Sequence, residues 1–329
     1  MRSWLRRAAI LLAAPLLLTP LCIGGCRTEA DKKWEVALIM KTMSNPFFIS
    51  MEKGAREAEK ELDVIVRALT PEEETDIQDQ IGLVEDMIAK KVDAILIAPA
   101  GSKEIVPSLV KAKQAGVVVI NLDNRVDPDA AAAAGLELDA YVGADNEQGG
   151  FLAGDELAKM MGKEGTVAML EGIPGVDNAE ARKRGFEKAM AQYPGIKIVQ
   201  SQSAHWKQEE ALDVMQDILQ NHPDLDGLFC ANDMMALGAI QAIEDAGKTG
   251  QLFVASYDNL EAAQQAIMDD KLHITIEQHP DIMGKIGVQY AVRLLEGKKL
   301  PHTEKFVDLE VITKPMLEQT WAEKEAEGK

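Results

Sequence analysis

Short apolar runs recur along the chain, separated by longer stretches in which apolar and polar residues alternate. The runs Val36–Met40, Ala94–Ile97, Val117–Ile120, Tyr141–Val142, Thr166–Leu170, Ile196–Val199, Gly227–Cys230, Leu252–Ala255 and His273–Ile276 are too short for helices and read as strands. Between most of them lie amphipathic stretches such as Pro46–Leu62, Thr75–Lys90, Asn146–Met161 and Asn232–Ala246, with the spacing of surface helices. Apolar strands alternating with helices predict an α/β fold with parallel sheets covered on both faces. One Ala-rich segment, Asp127–Asp139, reads as a loop, and a second strand–helix series starts after it. Two similar lobes are therefore expected, hinged rather than loosely tethered. Asn45-Pro46 places a capping residue before a proline at a helix start, and Gly116 and Gly247 stand where helix C-caps belong. Gly247-Lys248-Thr249 is not a phosphate-binding loop: it follows a helix instead of preceding one, and Ala242 occupies the first glycine position.

The N-terminus breaks this pattern. Arg2, Arg6 and Arg7 precede the apolar Ala8–Leu18, too short to span a bilayer and suited to a signal peptide over residues 1–25. Ile23-Gly24-Gly25-Cys26 resembles the lipobox of bacterial lipoproteins, which implies cleavage before Cys26 and acylation of its sulfur. Acyl chains contribute ~0.8 kcal/mol per buried methylene, so two or more would anchor the chain to a membrane. Residues 26–33 would form a polar tether. The 329 residues suit two domains. Against 35 Lys and Arg stand 54 Asp and Glu, a net charge of −19 that excludes a nucleic-acid surface. Three cysteines cannot form a disulfide framework, and loss of Cys22 with acylation of Cys26 would leave Cys230 alone.

In parallel α/β sheets, ligands bind beyond the carboxyl ends of the strands. Those ends carry Lys41, Asn45, Phe47 and Phe48; Asp123, Asn124 and Arg125; Asn178 and Arg182; Trp206; Asn232 and Asp233; Tyr257 and Asp258; and Gln278. Planar amides, carboxylates, cations and aromatic rings suit a sugar. Its C–H faces lie flat on aromatic rings, and each hydroxyl both donates and accepts. Hydrogen bonds to charged groups contribute ~1.5–3 kcal/mol against ~0.5–1.5 for neutral ones, so micromolar binding, about −8 kcal/mol, is within reach. Glu72-Glu-Glu74 reads as a solvated helix start favoured by the helix dipole, Asp233 as a helix cap or a ligand contact, and Tyr257 as a contact or a buttress for Asp258.

Several segments carry a family resemblance: Lys41-Thr-Met-Ser-Asn-Pro-Phe-Phe48, Ile120-Asn-Leu-Asp123, Gly143-Ala-Asp-Asn146, Ala179-Glu-Ala-Arg182, Cys230-Ala-Asn-Asp233, Met235-Ala-Leu-Gly238, Tyr257-Asp258 and Ile276-Glu-Gln278. In this order, from about Val36 to Thr313, they resemble the periplasmic sugar-binding proteins of ABC importers that bind ribose, galactose or glucose, and allose. The resemblance implies the type I periplasmic binding protein fold: two Rossmann-like lobes, residues 34–144 with 279–307 and 145–278 with 308–329, joined near Ala144–Asp145, Gln278–His279 and Val307–Leu309. It implies that Asn45 and Phe48 line the first lobe's side, with Phe48 stacking on the sugar and Phe47 behind it. Asp123 would accept from hydroxyls, Arg182 would donate, Trp206 would form the opposing wall, and Asn232, Asp258 and Gln278 would complete the rim.

Lys41 stands where the ribose type has serine and matches the allose type, leaning towards an allose-like aldohexose. Asn124 matches neither type, and Asn178 sits where the galactose/glucose type has an aspartate. No acidic calcium loop follows Ile276 or lies near Gln200, so no metal is expected, and no cofactor. The expected partners are a monosaccharide, the transmembrane subunits of a permease and, as an alternative destination, a chemoreceptor or sensor kinase. The protein would act as a monomer outside the cytoplasm. A transcriptional repressor sharing this fold would need an N-terminal helix-turn-helix. An enzyme would need a nucleophile elbow, a Cys–His pair, a metal cluster or a dinucleotide motif, none of which the sequence offers; Asp123 and Asp258 could only mimic a glycosidase pair.

Overall fold

The computed structural model describes residues 33–327. The leader and Cys26 expected at the N-terminus lie outside the described residues.

The chain runs β1 (Glu35–Ile39), α1 (Pro46–Leu62), β2 (Ile65–Leu69), α2 (Ile77–Ala89), β3 (Ala94–Ile97), α3 (Val106–Gln114), β4 (Val118–Leu122), α4 (Pro128–Ala134) and β5 (Ala140–Gly143). It continues through α5 (Asn146–Met160), β6 (Glu164–Glu171), α6 (Asp177–Met190), β7 (Gly195–Ser203), α7 (Gln208–Asn221), β8 (Gly227–Cys230), α8 (Asp233–Asp245), β9 (Phe253–Ala255), α9 (Glu261–Met268) and β10 (Thr275–Glu277). It ends with α10 (Pro280–Leu295), β11 (Glu304–Phe306), β12 (Glu310–Ile312) and α11 (Lys314–Glu327).

The first sheet has the order β11-β5-β4-β3-β1-β2, and every pair in it is parallel. Its central strands show why continuous apolar runs were needed. Leu38, Leu96 and Ile120 face a core shared with α1 and α10, while Ala37, Ile39, Ile95, Ile97 and Val119 face the core under α2 and α3. Successive side chains point to opposite faces, so a strand covered on both sides must be apolar throughout. The second sheet, β7-β6-β8-β9, is also parallel. A parallel bridge from Ala255 to Ile274 extends it towards the antiparallel pair β10–β12.

The chain passes from one sheet to the other three times. After β5 it enters α5, which packs on α6 in the second lobe. After β10 it returns to α10, which packs on α1. After β11, paired with β5, it crosses again to β12, paired with β10.

Three strands escape the hydrophobic pattern. β2 is an edge strand whose Arg67 is exposed, and β11 and β12 are three residues each. The Asp127–Asp139 loop is corrected in part, because it contains the short helix α4. Asp127 Oδ1 accepts from Ala130 N at 2.8 Å, Pro128 starts the helix, and Gly135 ends it at φ 66°. An alanine run between a cap and a glycine has strong helix propensity, and Ala130 and Ala131 pack half-buried against the core under α2 and α3.

Candidate functional site

The carboxyl ends of both sheets meet around one small void. Its lining is Lys41, Asn45, Phe47, Phe48, Glu74, Asp123, Asn178, Arg182, Trp206, Asn232, Asp258 and Gln278.

Local structure places each group. Asn45 caps α1: its Oδ1 accepts from Phe47 N at 3.0 Å, and its Nδ2 donates to Glu74 Oε1 at 3.0 Å. The cap turns Phe47 and Phe48 inward, where their rings meet edge to face with centroids 5.0 Å apart. Asn232 caps α8 through Met235 N at 2.9 Å, leaving its amide nitrogen for another partner. Arg182 is held from three sides. Its Nε donates to Asn146 Oδ1 at 2.8 Å, its Nη1 to Ala231 O at 2.7 Å, and its guanidinium carbon lies 3.7 Å from the centre of the Tyr257 ring. Trp206 has φ 68°, and its ring lies over Gly172 so closely that a Cβ there would sit 2.0 Å from it. Asp123 and Asp258 also have positive φ, 56° and 116°. Three non-glycine residues in this region of φ line one void, and such backbone strain concentrates at functional sites.

Charge is arranged symmetrically. The first lobe buries Lys41 with Asp123 at 3.6 Å, and the second buries Arg182 with Asp258 at 3.5 Å. Both separations exceed the ~2.7–2.9 Å of a charge-assisted hydrogen bond, so neither pair satisfies itself. Gln278 Nε2 donates to Asp258 Oδ1 at 2.6 Å. Burial nevertheless pushes the Asp258 carboxyl well above its ordinary range, with Asp233 and Asp123 adding to the push and Arg182 and Gln278 opposing it. Burial also raises Glu74, against the pull of Lys41 and Asn45. Buried side-chain atoms without a hydrogen-bond partner include Asn178 Oδ1, Trp206 Nε1 and Gln278 Oε1, all on residues lining the void.

Of the residues singled out in the sequence, the structure brings Lys41, Asn45, Phe48, Asp123, Asn178, Arg182, Trp206, Asn232, Asp258 and Gln278 to this void, and Phe47 lines it as well. Asn124 is not there. It is fully buried behind the void, its Nδ2 donating to Pro99 O at 2.9 Å and Ser102 Oγ at 3.2 Å. Asp233 is turned away into the second lobe, accepting from Leu260 N, Thr275 Oγ1 and Ser256 Oγ. Tyr257 buttresses Arg182. Glu74 corrects the reading of Glu72-Glu-Glu74 as a solvated helix start, since α2 begins only at Ile77 and the Glu74 carboxyl faces inward. It follows β2, so reading that edge strand would have led to it. Among the described residues, no group of three His, Cys, Asp or Glu side chains is placed to hold a metal ion.

The family model of the periplasmic binding protein domain matches residues 36–299. The chain belongs to the periplasmic binding proteins. Over 315 residues, spanning 94% of this chain and 97% of the other, it is 38% identical to the D-ribose/D-allose-binding protein of Pseudomonas aeruginosa. It is 33% identical over 293 residues to the D-allose-binding periplasmic protein of Escherichia coli K12, covering 89% of this chain and 94% of that one. A crystal structure of an ABC transporter periplasmic solute-binding protein from Actinobacillus succinogenes with bound D-allose superposes with a TM-score of 0.83 at 45% identity, covering 87% of this chain and all of the other. As a periplasmic binding protein, the molecule serves transport outside the cytoplasm and is not an enzyme.

Proposed function

We propose that this protein is the solute-binding component of an ABC-type sugar importer, capturing one monosaccharide of the allose or ribose kind between its lobes and delivering it to a permease. The carrying observation is a closed void whose hydrogen bonding is incomplete. Asn178 Oδ1, Trp206 Nε1 and Gln278 Oε1 lack partners, and two buried ion pairs stand too far apart to satisfy themselves. A burial cost of ~1–3 kcal/mol per unpaired polar atom is met when sugar hydroxyls bridge these groups. Phe48 and Trp206, one from each lobe, would lie against the C–H faces. Lys41 favours an aldohexose with the stereochemistry of allose. Hinging at 144–145, 278–279 and 307–309 would open and close the site, and acylation of Cys26 would hold a monomeric receptor at the membrane.

A thermal-shift screen against a monosaccharide panel tests the reading. A true ligand at 100 times its dissociation constant adds ~2.7 kcal/mol of stability. D-Allose and D-ribose are expected to raise the melting temperature, and a panel without any shift refutes the proposal.

A further inference from the structure

Asn124, which does not reach the void, explains a second anomaly. Helix α6 carries Asn178 and Arg182, yet its N-cap residue is Val176, which has no side chain to cap it. The first N–H groups of a helix need acceptors from outside it. Here the acceptors come from the opposite lobe. Asp177 N donates to Ser102 Oγ at 3.1 Å, and Asn178 N donates to Asn124 Oδ1 at 3.2 Å. Ser102 and Asn124 are both buried and bonded to each other, and Asn124 is also fixed by Pro99 O, so the two acceptors are held ready for the helix.

We infer that Ser102 and Asn124 are positioning residues that cap α6 across the cleft, tuning sugar affinity by stabilising the closed form without touching the sugar. The cap exists only when the lobes meet; in an open form both N–H groups turn to water. Its contribution is therefore to the closure equilibrium, and apparent affinity scales with the closed population for every ligand alike. A cross-lobe ion pair, Lys207 Nζ to Glu73 Oε2 at 2.6 Å, is by contrast exposed on both sides and contributes little. The inference rests on the reading that the lobes close around a solute.

The test compares wild type, Ser102→Ala, Ser102→Thr and Asn124→Ala. Calorimetric titration with D-allose, D-ribose and one weaker sugar gives dissociation constants. Paired labels, one on each lobe, give the inter-lobe distance distribution of the sugar-free protein. Ser102→Ala is expected to weaken all three sugars by one common factor of about 2- to 10-fold, through faster dissociation, and to shift the sugar-free distribution towards the open form. Ser102→Thr should restore both. Asn124→Ala should weaken binding further in the same uniform way; if its lost bond to Pro99 unfolds it, Ser102→Ala decides alone. A factor that differs between sugars would mean that these residues read the ligand. Unchanged affinities with an unchanged distribution would mean that the cap does nothing for closure. Should wild type bind no sugar, the proposed function fails, and the distance distribution still decides the inference.

Discussion

On the proposed function, Arg182 and Asp258 are the side chains on which sugar binding should depend most. Each is almost fully buried, and each is already engaged by groups of its own lobe, so its geometry is set before a ligand arrives. Truncating one member of such a pair leaves the other buried and unpaired, and Arg182→Ala and Asp258→Ala should each cost ~2–4 kcal/mol of sugar binding by calorimetry. Losses below about 0.5 kcal/mol would place the ligand elsewhere. Glu74→Gln keeps an oxygen for Asn45 but gives up a charged acceptor facing the void, and should weaken binding by about 1 kcal/mol. Unchanged binding would return Glu74 to the solvated role its sequence suggests.

At the scale of elements, the site depends on how helices meet. α5 and α6 approach so closely that a Cβ on Gly150 would lie 2.2 Å from the Arg182 backbone oxygen, and one on Gly185 would lie 2.0 Å from that of Glu147. Backbone cannot yield as a flexible side chain can, so Gly150→Ala should lower stability by ~1–3 kcal/mol and shift Arg182, weakening binding as well. Denaturant titration beside calorimetry separates the two effects. The junction of β8, α8 and β10 turns on Asp233, whose carboxyl burial pushes up to about 7 even though Ser256, Thr275 and Leu260 donate to it. An unfolded aspartate titrates near ~3.9. Between about pH 4 and 7 the folded form therefore holds a proton that the unfolded chain releases, and this group's contribution to stability is full below pH 4 and lost as pH rises to 7. The margin in melting temperature of wild type over Asp233→Asn should narrow across that window; a margin that widens would contradict the assignment.

For the whole molecule, closure follows from accessibility. Lys41, Phe48, Asp123 and Arg182 are each no more than 3% exposed, so no sugar can reach them while the lobes stay together. Entry requires opening, and only the closed form lets both lobes touch the ligand, so ligand shifts the population towards closure. X-ray scattering should show the protein becoming more compact on saturation with sugar. A radius of gyration independent of sugar would rule out a hinged capture.

The alternation of apolar runs and amphipathic stretches determined the parallel sheets, because strands buried on both faces leave a continuous hydrophobic signature. It also delivered the polar residues of the site, since the ends of such strands are where an α/β sheet presents side chains. The short β11 and β12, with few buried positions, and an edge strand with Arg67 outward left too little apolar signal, and with β2 went the route to Glu74. Tertiary structure alone decided between roles that composition leaves equal. Asn124 and Asn178 are both amides at strand or helix ends, yet one caps a helix of the opposite lobe and the other lines the void. Asp233 and Asp258 are both buried carboxylates of the second lobe, yet one ties strands together and the other faces Arg182. The direction a side chain takes depends on the register of elements brought together from distant parts of the chain, and no local pattern encodes that register.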